Sequence, residues 1–111
     1  MESVNDDRRI VRRIIEEYAQ FRPSVGEVEV EVIIDEKQGH YELMHAGWMG
    51  YRRVHGSLIH IDIRGDKIWI QHDGTEEGVA HDLVAAGIPK DRIVLAFKSP
   101  EARPLTGFAT A

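Results

Sequence analysis

The segment LIHIDIRGDKIWIQH, Leu58 to His72, constrains this chain more than any other. Isoleucines recur at every second position on both sides of Gly65 and Asp66: Ile59, Ile61 and Ile63 before them, Ile68 and Ile70 after. A period of two puts these side chains on one face of two adjacent strands, and a Gly-Asp pair between alternating runs is a short-range hairpin signal. The isoleucine face must be covered by something, which leaves Leu58, His60, Asp62, Trp69 and Gln71 on the opposite face.

The same alternation extends toward the N-terminus. Val28, Val30, Val32 and Ile34 alternate with Glu27, Glu29, Glu31 and Ile33, and Tyr41, Leu43, His45 and Gly47 alternate with Glu42, Met44, Ala46 and Trp48. Asp35 to Gly39 turns between them, and Met49-Gly50 reads as a two-residue hairpin loop into a third strand over Tyr51–Arg64, with Gly56 as a candidate bulge. Four sequential strands with short connections form an antiparallel meander.

Two amphipathic segments can cover that sheet. Ile10, Val11, Ile14, Ile15 and Tyr18 fall at helical spacing within Asn5–Phe21, with Asn5 or Asp6 as cap and Arg22, Pro23 and Ser24 as terminator. Val79, Ala80, Leu83 and Val84 form a second stripe. Asp73 or Thr75 would cap this helix, Asp73 in a D-x-x-E spacing with Glu76, and Gly87 would end it. Ile93–Phe97 reads as a short fifth strand or an extended segment, and Lys98–Ala111 as loop punctuated by Pro100, Pro104 and Gly107. The expected fold is α+β in one domain over residues 1–111: helix, meander sheet, helix, C-terminal strand or tail. With 111 residues and 42% hydrophobic content, one core suffices.

No stretch of about 18 apolar residues is available to span a bilayer, and the first residues are charged, so a soluble, cytoplasmic protein is expected. Cysteine is absent, which removes disulfides, thiolate metal sites and cysteine nucleophiles. The formal charge of −5 disfavours direct DNA binding, because duplex recognition draws its affinity from a basic surplus. The local exceptions are Arg8, Arg9, Arg12 and Arg13, flanked by Asp6, Asp7, Glu16 and Glu17, and the pair Arg52-Arg53. An i,i+4 pair of Arg13 with Glu17 would make the first cluster an ordinary solvated helix face.

Six histidines raise the question of metal. His60 and Asp62 share a strand face and His72 ends the adjacent strand, so these three could converge as ligands of a metal-dependent hydrolase. No H-E-x-x-H or comparable signature supports this, and scattered strand histidines account for the pattern as well. Acid/base chemistry could be assembled from Asp62, Asp73, Glu76, Glu77 and His72, but no spacing identifies a nucleophile or an oxyanion hole. No nucleophile elbow, P-loop or dinucleotide fingerprint occurs, and no cofactor is implied. Trp48, Tyr51 and Trp69 are the aromatic residues to watch at a surface. Trp48 and Tyr51 bracket a turn beside Arg52 and Arg53, a composition enriched at protein interfaces, and Leu105 and Phe108 in the tail are a second partner-binding candidate.

The order of segments resembles the XisI family, the fdxN element excision controlling factors of heterocyst-forming cyanobacteria. The resemblance covers nearly the whole chain, including the block YAQFRPSVGEVEVEVIID. It rests on Gly47-Trp48, on HIDI at His60–Ile63, on KIWIQHDGTE at Lys67–Glu76, on GIPKDRIVLAF at Gly87–Phe97 and on TGFA at Thr106–Ala109. It implies a XisI-like fold and a role in programmed DNA excision, a recombination event linked to heterocyst differentiation in which a separate recombinase cuts. It also implies a neighbouring XisH-type protein that looks nuclease-like, and it carries over no catalytic residues. The resemblance and the charge together imply a non-enzymatic accessory factor. Such a factor would act by protein–protein contact with a XisH-type partner or recombinase, with a folded homodimer as its candidate oligomeric form. A metal-dependent hydrolase and a direct DNA binder are the alternatives.

Overall fold

The computed structural model describes residues 2–21 and 26–111. Helix α1 spans Glu2–Tyr18, strands β1 to β4 span Glu27–Asp35, His40–Met49, Arg52–Arg64 and Lys67–Asp73, helix α2 spans Val79–Ala85, and strand β5 spans Ile93–Leu95. Single 3₁₀ turns sit at Lys90–Arg92 and Arg103–Leu105. The sheet order is β1-β2-β3-β4-β5, a meander of four antiparallel strands to which β5 adds in parallel after the α2 crossover. The α+β class and the helix–sheet–helix–strand order therefore hold, with a mixed rather than purely antiparallel sheet.

Both helices cover the isoleucine face. Val11, Ile14 and Ile15 of α1 and Val79 and Leu83 of α2 bury against Tyr41, Leu43, Ile59, Ile61, Ile68 and Ile70. Each such aliphatic side chain stabilises the fold by roughly 1.5–3 kcal/mol when fully buried.

Several local boundaries differ from the sequence-based expectation. Helix α1 runs through Asn5 and Asp6 instead of being capped by them, and the turn that follows them is drawn onto the body by Asp7, which is 2% exposed and paired with Arg92. The expected terminator Arg22-Pro23-Ser24 lies outside the described residues; the helix ends earlier, at Tyr18. The β2–β3 loop is Gly50-Tyr51, not Met49-Gly50, because Met49 pairs with Arg52.

The β3 bulge falls at Leu58 and not at Gly56. Leu43 faces Ile59 and Met44 faces Ser57, so Leu58 is the extra residue. Its carbonyl accepts from the Gly74 amide at 2.7 Å, and its side chain packs partly buried against the core, although strict alternation placed it on the His60 face. A second irregularity makes Gln71 the extra residue between the pairs His60–His72 and Ile61–Ile70.

The α2 cap also differs. The helix starts after Gly78, and Asp73 reaches over the loop: its Oδ2 accepts from the Val79 amide at 2.7 Å and its Oδ1 from the Thr75 amide at 3.0 Å. Thr75 Oγ1 accepts from Gly78 in turn, at 3.1 Å. Both candidate caps thus hold the loop, and Glu76 is left out. The tail after β5 is better ordered than its composition suggests: Ala109 donates to Ile93 at 2.9 Å and forms a parallel bridge with Val94, while Arg103 ties down the carbonyls of Ala96 and Lys98.

Tyr18 and Tyr41 offer a paired test of buried hydroxyls. Tyr18 Oη donates to Asp82 Oδ2 at 2.6 Å, joining α1 to α2, and burial together with that carboxylate pushes its pKa up to about 12. The Tyr41 hydroxyl is fully buried with no hydrogen-bond partner among the described residues. Tyr18→Phe should cost about 1 kcal/mol by denaturant unfolding, whereas Tyr41→Phe should be neutral or stabilising. Equal losses would contradict the assignment.

Candidate functional site

Two surfaces stand out. The first follows from a length mismatch. Strand β4 pairs only with Ile59–Arg64, so the Arg52–Leu58 half of β3 extends past it together with the end of β2. No residue from Met44 to Leu58 is buried. At the tip of this arm Tyr51 is fully exposed and Trp48 is 50% exposed, with the Arg53 guanidinium 5.3 Å from the Trp48 ring centre. Arg52 is exposed and donates to Met49 Sδ at 3.3 Å. Trp48, Tyr51, Arg52 and Arg53 therefore do gather at one place. Leu105 is exposed elsewhere, at 88%, while Phe108 packs partly buried against the core under the Lys90 ammonium and does not join it at the surface. The Arg64 and Arg103 guanidiniums both lie near Trp69, 4.9 and 5.6 Å from its ring centre.

The arm depends on one close approach. Gly47 on β2 faces Val28 on β1, and a Cβ there would lie 2.0 Å from the Glu27 carbonyl oxygen. Outward on β1, Glu27, Glu29 and Glu31 line the free sheet edge with charge, which discourages indiscriminate edge pairing.

The second surface lies on the uncovered sheet face near the β3–β4 turn. Register places His40 directly opposite Asp62, and His60 lies two residues before Asp62 on the same face. Asp62 Oδ1 is 2.7 Å from His40 Nδ1 and 2.9 Å from His60 Nε2; Gln71 donates to Oδ2 at 3.2 Å and Arg64 lies 3.5 Å from it. Asp62 is only 4% exposed. Of the residues expected to converge, His60 and Asp62 do meet; the third group is His40, and His72, exposed opposite His60, stands outside the cluster. Sequence spacing alone could not identify His40, 22 residues from Asp62, because only the β2–β3 register joins them.

Burial is the largest influence on the Asp62 carboxyl and raises it, but the hydrogen bonds and charges of His40 and His60 outweigh burial and hold it below its ordinary 3.8. A depressed folded value means stability present above about 3.8 and lost as pH falls through that folded value. The urea midpoint of the native chain should therefore drop more steeply between about pH 5 and about pH 3 than that of Asp62→Asn. Parallel slopes would contradict this.

The other expected constellations do not assemble. Glu76 and Glu77 line an open cleft of about 390 Å³ with Glu17, Tyr18 and Asp82, while Asp73 is committed to the α2 cap and Asp62 lies on the other surface. On α1, Arg12 pairs with Glu16 and Glu36 and Arg9 with Asp6; among the described residues the i,i+4 ion pair is Arg12–Glu16, not Arg13–Glu17. The helix arginines and the Arg52-Arg53 pair thus belong to separate surfaces.

The XisI protein family model matches residues 1–110. The chain belongs to the XisI family. Among solved structures, a XisI-like protein from Anabaena variabilis ATCC 29413 is similar at 34% identity with a TM-score of 0.90, covering 97% of this chain and 99% of its own. The fdxN element excision controlling factor XisI from the same organism is similar at 34% identity with a TM-score of 0.86, covering 98% and 99%. No curated protein matches. No helix among the described residues of this XisI-family chain is long and apolar enough to cross a membrane.

Proposed function

We propose that this chain is a controlling factor in the excision of a DNA element and works by touching another protein, not by cutting or gripping DNA. Family membership and the structural likeness to an fdxN element excision controlling factor support the process. The observation that carries the mode of action is the projecting β2–β3 arm with Tyr51 fully exposed and Trp48 half exposed beside Arg52 and Arg53. Aromatic residues and arginine at a protruding tip are the composition that dominates binding energy at protein interfaces. The net charge of −5 favours a partner with a basic surface, such as a XisH-type nuclease-like protein or the excision recombinase, over the phosphate backbone.

The test is co-purification with the XisH-type neighbour and with the recombinase, alongside a duplex-shift assay. The chain alone should shift no DNA. Trp48→Ala and Tyr51→Ala should each weaken the protein complex by about 2 kcal/mol or more while Tyr51→Ala leaves unfolding within about 0.5 kcal/mol of native. A salt-sensitive duplex complex formed by the isolated chain, abolished by neutralising Arg52 and Arg53, would reject the reading.

A further inference from the structure

We propose that His40 Nδ1, His60 Nε2 and Asp62 Oδ1 form a binding site for one borderline divalent transition-metal cation, of the Zn²⁺, Co²⁺ or Ni²⁺ class, on the open face of the sheet. Each of the three residues offers a ligand atom, and these atoms lie within 4.8 Å of one another. Both imidazoles direct a nitrogen at the same carboxylate oxygen, from 2.7 and 2.9 Å. Tetrahedral coordination with metal–ligand bonds of about 2.0–2.2 Å places ligand atoms about 3.3–3.6 Å apart. To admit the ion, the two nitrogen–oxygen distances need to open by about half an ångström, and the two ligating nitrogens, which lie within 4.8 Å of each other, need to settle at that same spacing. The histidine side chains, 53% and 33% exposed, are free to make that adjustment, and the carboxylate is held.

The support around the ligands is built. All three residues sit on strands, His40 and Asp62 as direct cross-strand partners and His60 in the last pair before the β3–β4 irregularity, so their mutual placement follows from sheet hydrogen bonding and not from a loop. Gln71, thrown out of register by the β4 irregularity, donates to Asp62 Oδ2, and Arg64, whose guanidinium rests on Trp69, flanks the same oxygen. These outer groups fix the carboxylate's orientation and leave Oδ1 for the ion.

The donor set also selects the metal. Two imidazoles and one carboxylate oxygen suit zinc, cobalt, nickel or copper, whereas calcium takes six to eight oxygen ligands and magnesium an oxygen-rich octahedron. Arg64 beside Oδ2 further weakens the pull of the carboxylate on a hard cation and leaves the imidazoles as the main donors. On binding, each neutral imidazole moves its proton to its other ring nitrogen, a protonated one releases a proton to solvent, and the remaining coordination positions face water. This site is independent of the partner-binding arm and can stand or fall without it.

The 111-residue chain without a histidine tag, stripped with a chelator, should be titrated with Co²⁺ by visible absorption and with Zn²⁺ by calorimetry. One ion per chain is expected. His40→Ala and His60→Ala should each weaken binding at least about tenfold, and His72→Ala and His81→Ala should leave it unchanged. Because His40 and His60 are partly exposed, both variants should fold; a thermal scan showing that Zn²⁺ raises the melting temperature of the native chain and of His72→Ala, but not of His60→Ala, gives a second readout. No saturable binding at micromolar metal, equal binding of Ca²⁺ or Mg²⁺, or binding retained in both His40→Ala and His60→Ala would overturn the assignment.

Discussion

Arg92→Ala should destabilise the chain by about 3–5 kcal/mol, a large part of the 5–15 kcal/mol that typically holds a domain together. Arg92 bonds Asp7 of α1 through one guanidinium nitrogen and the Asp66 carbonyl of the β3–β4 turn through Nε at 3.0 Å, so a single side chain fastens helix, turn and the approach to β5. Asp7 is 2% exposed, and truncating Arg92 leaves its carboxylate buried without a counter-charge. Burial already pushes the Asp7 carboxyl above its ordinary 3.8, with Arg92 pulling the other way. Without Arg92 the folded value rises further. A raised carboxyl gives stability that falls as pH climbs from about 3.8 through the folded value, so the variant should lose more at about pH 7 than at about pH 4. Urea unfolding at the two pH values measures this; a loss below about 1 kcal/mol at pH 7 would mean the pair is only a surface contact.

Gly47→Ala is the second large effect, and it acts on the arm. The added methyl cannot sit 2.0 Å from the Glu27 carbonyl and 2.7 Å from Val28 Cα, and both obstacles are backbone. Strand β1 must therefore move away from β2 at that point. Overpacking of this kind costs typically 1–3 kcal/mol and more where backbone has to shift, and the upper end applies here. Amide hydrogen exchange should show early loss of protection along Glu27–Val30 while Ile59–Ile63 keeps its own. The same variant should weaken partner binding through Trp48, the next residue. Native-like stability and protection in Gly47→Ala would show that β1 does not approach so closely.

The legible parts of this protein are those whose cause is local. Alternation of isoleucine with polar residues in Leu58–His72, and of valine with glutamate in Glu27–Ile34, marks strands because side-chain direction in a strand depends only on residue parity. The Gly65-Asp66 turn fell where that parity required it, with Arg64 paired to Lys67. The apolar stripe of α1 was visible for the same reason, with a period of 3.6 in place of two. Family resemblance was legible too, since it is carried by linear blocks such as KIWIQHDGTE. The clustering of Trp48, Tyr51, Arg52 and Arg53 followed from their position around one hairpin turn.

Tertiary structure alone decided what depends on register and distant contact. A single extra residue re-aims a strand, and the irregularities at Leu58 and Gln71 leave no mark in the hydrophobic pattern. They turned Leu58 against the core and Gln71 to Asp62. His40, not His72, completes the imidazole–carboxylate cluster because β2 lies beside β3 in one particular register. Asp7 finds Arg92 across 85 positions of chain. Sequence by itself determined which stretches of this protein are strands and helices and which face each turns inward, because those follow from backbone geometry between neighbouring residues. The identity of the groups that meet was settled by the folded sheet, because hydrogen-bond register between strands fixes side-chain encounters that no spacing along the chain encodes.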